Sequence, residues 1–569
     1  NRLAGELNGT PGALALAWLR RLPGKPIPVI GTLNERRIDN LLLSGNLGFD
    51  AAVTAGVENG EIVLSAGYDV FGTNGFTHGV DEEALSENIA IVGPTAITSS
   101  VNAVATGTFE INSSAGAIDL DGGLSVRAAR EAALIARNEN SISITGDVSL
   151  ASAGTIEADG DVVGGVVRLV ARDASTLSIG GELSAEATPS QDQGTATGGQ
   201  VDLMADGGTI EIAGDVRLSA QANRHFPTGT LGNGFGGVAR VFALNEGAVD
   251  LGGFLIIDTN AFGNGVAGNE ATGGISEIVA QSGGTVDVAG FANILASGFG
   301  GDADGSLGIL DGGDGFGGSA RVIANGGTVR FADSLLLNSE GNGGSGASFF
   351  GSSFGDSGGD GFGGQSLLNA TDGSISVAGT TTLYSFGSGG QGAAGGSGTG
   401  GLAQVFANGT GTIRLGDAVV QSMGFGANGL GDDGRGGDGL GGEAILLTQD
   451  SGDVRLTGSA DIQANGWGEG GNSGGNGTGG NAGIYAMFGN IAVDGSAYVS
   501  AQGFGGGAVF GFGGSGGNGQ GGTAYIQADG SQAASASVTI GGRADILASG
   551  FGGIGGAGDG VEIEAGDGG

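Results

Sequence analysis

Hydrolytic and metal chemistry is usually built from histidine, cysteine and clustered carboxylates, and this sequence uses all three sparingly. It holds two histidines, His78 and His225, and no cysteine. A Ser-His-Asp or Cys-His site needs an imidazole oriented by a carboxylate or amide. Each histidine here stands alone in an irregular stretch, which reads as a surface position. Glu211, Asp250 and Asp287 recur at one place in successive repeats. Glycoside hydrolysis needs two carboxylates that flank a bond. A single column of like charges reads instead as a solvated face or a cation site. No hydrolytic activity is expected, and the chain is read as not an enzyme.

A second set of carboxylates lies among glycines: Asp302, Asp304, Asp311, Asp314, Asp356, Asp360, Asp432, Asp433 and Asp438. Calcium takes oxygen ligands from such loops. No cofactor or metal site is expected; calcium is the one alternative, with Asp302, Asp304, Asp432 and Asp433 as its candidate ligands. The stretch at 312–318 does not follow the calcium β-roll nonapeptide G-G-x-G-x-D-x-U-x. The many G-x-G-x-x-G matches follow from glycine density alone, so they carry no dinucleotide-binding argument.

The elements that position these residues are set by a recurring Gly-Gly pair. Its second glycines are Gly165, Gly199, Gly237, Gly274, Gly318, Gly364, Gly401, Gly442, Gly480 and Gly522, at intervals of 34 to 46 residues. A constant opening with an unequal interval means a fixed unit carrying a variable insertion, the signature of a solenoid. After Gly318, residues 319–324 read S-A-R-V-I-A, 328–331 read T-V-R-F and 334–338 read S-L-L-L-N. Turn residues separate them, which predicts three β-strands per unit.

The second strand has the clearest pattern. Apolar pairs such as Ile142/Ile144, Ile210/Ile212, Val286/Val288, Val329/Phe331, Ile413/Leu415 and Ile491/Val493 are each split by one residue, in most units a polar one. Period two puts the pairs on one face, where like residues stack from coil to coil. The stretch 109–133 has the same three-strand grammar without any insertion. Its length of about 24 residues suits one turn of a three-faced parallel β-helix.

Three regions result. Residues 1–40 form a helical N-terminal cap or an upstream segment, with Pro11 in the first turn of the helix. Residues 41–108 form irregular first coils. Residues 109–569 form regular repeats whose glycine-rich insertions lie on one side. These insertions are flexible, or else they pack from coil to coil as extended glycine helices in a side layer.

Two outer features stand beyond the core ladder. The last outward position of the first strand reads Met204, Phe242, Val279, Ile323, Asn369, Phe406, Leu447, Tyr485 and Gln527. Most of these are apolar, so either the glycine-rich segments fold over them or they dock another chain or a carbohydrate. An aromatic recurs after the third strand at Phe262, Phe299, Phe386, Phe425, Trp467, Phe504 and Phe551. At one per coil these rings would stack as a ladder about 4.8 Å apart, to anchor the insertions or to meet sugars.

Composition narrows the partners. Glycine is 133 of 569 residues with only 7 prolines, and the formal net charge is −39. That charge disfavours nucleic acid and anionic membranes. No apolar run reaches 18 residues, so no helical membrane span is expected. The chain begins without methionine and ends just after a new first strand opens, which reads as part of a longer polypeptide continuing through further coils.

Units of the form G-G-x-A-x-V-x-A, T-V-x-V-x-G and A-x-I-x-A-x-G-F-G resemble the repeat regions of large secreted bacterial adhesins. These are similar to filamentous haemagglutinins and autotransporter passenger domains. The resemblance covers about residues 109–569. It implies a right-handed parallel β-helix outside a Gram-negative cell, serving adhesion or matrix building. Partners would be other copies or continuing coils, and host or matrix carbohydrate or protein. A self-assembling filament or surface-layer subunit is the second reading. A carbohydrate-active enzyme on a β-helix is the third.

Overall fold

The computed structural model describes strands between residues 47 and 105, then residues 107–555 apart from 115, 157–160, 190–193, 223–231, 264–267, 304–310, 347–356, 432–433, 509–513 and 532–534. The expected cap at 1–40 and both histidines lie outside the described residues. Three sheets of fourteen strands run the length of the molecule, each strand pairing with its counterpart one coil earlier and one coil later. The ladders are parallel throughout, save one two-residue antiparallel pair between Thr155–Ile156 and Val162–Val163. The chain is a parallel β-helix solenoid.

One coil explains the rest. Its strands are Ser319–Asn325, Thr328–Phe331 and Leu335–Asn338. Alternation decides which side chains enter the core: Ala320, Val322, Ala324, Val329, Phe331, Leu335 and Leu337 are all buried. The corner after the first strand requires a left-handed residue. Gly326 has φ +66°, while Asn245, Ser282 and Asp372 meet the same need at φ 52° in their own coils. Glycine tolerates that region freely, and asparagine and aspartate more readily than other residues.

The second-strand pairs point inward as the alternation requires. Ile210, Val249, Val286, Val329, Ile375 and Ile413 form one registered column, each at most 1% exposed. Arg330 and Asp287 face outward. Each buried Val, Ile or Leu contributes roughly 1.5–3 kcal/mol before chain entropy is subtracted.

The glycine-rich insertions leave at the corner between third and first strands, and their described parts have an order of their own. Two-residue strands such as Gly298–Phe299 and Gly315–Phe316 build two further parallel sheets, of eight and eleven strands. The two sheets pack face to face as a flange beside the solenoid. The inward residue is glycine in nearly every coil. A Cβ on Gly298 would strike the carbonyl oxygens of Phe316 and Ala271. Further out, hydrogen bonds run in two directions. Gly343 N–H donates to Ser388 within one wall, and Gly344 N–H donates to Gly313 across to the other. Of the two expectations for these segments, the packed side layer holds for the described part.

The Gly-Gly pair is the neck of this flange. Gly237, Gly274, Gly318 and Gly364 donate across it to the carbonyls of Ala220, Thr259, Ala296 and Ser339. A Cβ on Gly364 would strike the carbonyl of Gly318 one coil away. Buried hydroxyls line the same neck: Ser339 bonds Ser366 at 3.0 Å, and Ser366 donates to the Tyr384 carbonyl at 2.7 Å. Buried polar groups are tolerated when so paired.

Candidate functional site

Glu211, Asp250 and Asp287 stand on adjacent strands of the second sheet in direct register. They line a shallow open groove, with Ser178 before them and Arg330 and Ser376 after. Arg330 pairs with Asp287 at 3.2 Å. Burial, then Asp287, then Glu211 raise the Asp250 pKa above its ordinary value of 3.8. A raised folded-state pKa means that ionising Asp250 opposes folding. Its favourable contribution is full below the unfolded value and is lost as pH rises through the raised one. Asp250→Asn should therefore stabilise the protein at pH 7 and leave it unchanged below pH 3.8. The gain should stay under about 1 kcal/mol, because solvent screens an outward carboxylate. Urea unfolding at both pH values reads this directly, and a loss of stability at pH 7 would reverse the assignment.

The aspartates among glycines take a role that the sequence reading missed. Asp314 Oδ1 accepts the N–H of Asp360 at 2.7 Å, Asp360 that of Ser397 at 2.7 Å, and Asp438 that of Asn476 at 2.6 Å. Asn233 and Asn476 do the same for Glu270 and Asn518. Each side chain caps the backbone of the next coil. Asp302 accepts from Ser345, and Asp311 from Ser357. The signal was present as Asp or Asn opening a G-x-G-G run, as in D-G-F-G-G at 314–318 and 360–364 and N-G-F-G-G at 233–237. Asp304, Asp356, Asp432 and Asp433 lie outside the described residues. Among the described residues, no group of three or more His, Cys, Asp or Glu side chains is placed to hold a metal.

The aromatic ladder forms in two runs on the flange. Phe262 stacks on Phe299 with centroids 5.0 Å apart. Phe425, Trp467, Phe504 and Phe551 stack at 4.9, 5.4 and 5.1 Å, all within 7° of parallel. Asn342 and Ser388 hold the two places between the runs. Phe386 does not belong to the column. Gly387 is the residue in register with Gly424, so Phe386 sits two positions before the ladder site and meets Phe425 edge-on at 5.9 Å. The opposite flange wall carries a second ladder, unanticipated from sequence, in which Phe316 stacks on Phe362 at 5.0 Å. Ladder rings turn their π-faces to one another and present edges to solvent. They skin a flange whose inside has few side chains, each pair contributing about 0.5–1.5 kcal/mol beyond buried area.

The first-strand stripe is a true column: Met204, Phe242, Val279, Ile323, Asn369, Phe406, Leu447, Tyr485 and Gln527 are in register. Met204, Phe242, Ile323, Phe406, Leu447 and Tyr485 are half-buried, and Val279 is buried. The described flange strands pack on each other rather than on the first sheet. Among the described residues, the glycine segments therefore do not cover this stripe. Side chains of the neighbouring columns on the same face flank it.

That face divides in two. Arg168, Asp202, Arg240, Glu277 and Arg321 alternate in sign over five coils beside the stripe. Glu277 lies 3.9 Å from Arg240 and 3.4 Å from Arg321. Arg240 also covers the Phe242 ring at 5.7 Å. The same column then continues as Leu367, Gln404, Ile445, Gly483 and Tyr525, without charge.

Comparison with known proteins adds no relative. No family model, no curated protein and no solved structure matches this chain.

Proposed function

We propose that this chain is an extracellular structural and adhesive repeat protein, displayed as a surface fibre on a Gram-negative bacterium and serving attachment or matrix building. The observation that carries the reading is the unbroken register of the coils, which turns each outward position into a long displayed column. Such a surface offers many equivalent contacts at low cost per repeat, which suits multivalent attachment. The net charge of −39 favours neutral or basic partners, and self-association only where cations screen it. A self-assembling filament is the second reading, favoured by the flat aromatic-edged flange walls. Antibodies to the chain should label intact source cells, and deleting the gene should reduce attachment to surfaces. Labelling only after cell lysis would overturn the proposal.

A further inference from the structure

The uncharged half of the first-sheet column beside the stripe holds an aromatic arrangement unlike the ladders. Gly483 puts no side chain on the outer face, and Tyr525 is its partner one coil on. A Cβ on Gly483 would fall against Tyr525, with Cε2 at 2.7 Å, Cε1 at 2.8 Å and Cζ closer still. The near-equal distances to the two Cε atoms, so little longer than that to Cζ, put the glycine on the ring normal. An approach along the ring edge would leave both Cε atoms much farther away. The Tyr525 ring therefore lies flat on the sheet, one face on Gly483 and the other turned outward. Ile445, next in the column, is 4% exposed although it is on the outer face.

Tyr485 stands beside this floor as a wall, its ring 6.3 Å away and inclined at 73°. Polar groups rim the corner. Tyr485 donates its hydroxyl to Asp529 at 2.7 Å, and Gln527 donates to the same oxygen at 2.8 Å. Asn481 lies two residues before Gly483 on the same face of its strand, and the carboxylate of Glu443 is near enough to Tyr525 to act on its hydroxyl. Glu443 is in register with Asn481.

We propose that Tyr525, Tyr485, Asn481, Glu443 and Asp529 form a carbohydrate subsite for a neutral hexopyranose. The flat outward ring receives the C–H face of the sugar. The amide and carboxylates on the rim take its hydroxyls, since carboxylates accept and amides both donate and accept. Two carboxylates on a strongly acidic chain exclude sulfated and uronate glycans. The ladder rings Trp467 and Phe504 cannot serve in this way, because a stacked neighbour closes each of their faces. The inference rests on the adhesive reading for its biological use, but its test is made on the protein alone.

Saturation-transfer NMR and calorimetry on the full chain with cellotetraose, mannotetraose and a heparin tetrasaccharide decide it. A neutral tetrasaccharide should bind, with transfer strongest to the protons of one pyranose face. Tyr525→Ala should weaken that binding at least about tenfold, and Tyr485→Ala by several-fold. Tyr525→Phe, which keeps the floor, should stay within about threefold. If Tyr525→Ala does not fold by circular dichroism, Tyr485→Ala and Gly483→Ala decide, the latter by tilting the ring. Absence of transfer to either neutral probe at millimolar concentration, preference for heparin, or undiminished binding by folded Tyr525→Ala and Tyr485→Ala would each overturn the site. None of these outcomes bears on surface display, which antibody labelling tests separately.

Discussion

Replacing Val329 by aspartate should open the solenoid at one coil and leave its distant ends intact. Val329 is fully buried between Val286 and Ile375 in the second-sheet column. An aspartate there has no buried partner for its charge, because the column is aliphatic above and below. The loss should exceed about 3 kcal/mol, the sum of lost apolar burial and an unpaired polar group. In a solenoid each coil contacts mainly its neighbours, so the damage is local. Hydrogen exchange by mass spectrometry should show amides of the strands near residues 286, 329 and 375 exchanging fast. Those near 142 and 491 should keep native protection. Uniform protection, or uniform collapse, would contradict the arrangement.

Gly398→Val should have the second largest effect, and a different one. A Cβ on Gly398 would fall on the carbonyl oxygens of Phe425 and Gly387 from the facing wall. The walls cannot part at one coil without breaking their own ladders, so the flange should open there. A cost of about 1–3 kcal/mol is expected for such overpacking. Rapid exchange should be confined to flange amides such as those of Gly398 and Gly424, with Val405 and Ile413 unaffected. The coil at Ala261 and Ala271 supplies the internal contrast. Those alanines are in register with Gly298 and Gly315, yet both are fully buried, so the walls there leave room for a methyl group. If Gly398→Val matched wild type in stability and exchange, close wall packing would be the wrong description.

These two sites mark where the sequence was readable and where it was not. Val329 announced itself, because period-two alternation of apolar and polar side chains is a direct projection of the strand onto the core. Gly398 could not. The flange is held by backbone groups and by the absence of side chains, and glycine carries no polarity from which a face can be read. Its order is a matter of register between coils, which appears only once the coils are stacked. The same gap moved Phe386 into the ladder, since nothing in F-G-S-G-G distinguishes it from the F-G-A-N of Phe425. It also hid the capping role of aspartates such as Asp314 and Asp360: an acid amid glycines looks the same whether its partner is a cation or the next coil's N–H. The flat ring of Tyr525 was hidden for a related reason, as Gly483 lies 42 residues upstream. No local pattern links the two.

The insertions vary in length, but the strands they separate do not change spacing. Successive strands in a sheet sit about 4.8 Å apart whatever lies between them, so fourteen of them span roughly 60 Å. Residues added to a coil widen the object without lengthening it. Under tension the reverse holds. A coil of about 40 residues peeled from the end releases some 130–140 Å of chain from about 5 Å of fibre. Pulled from its ends, such a molecule acts as a shock absorber, yielding one coil at a time and paying out slack while the remaining coils hold.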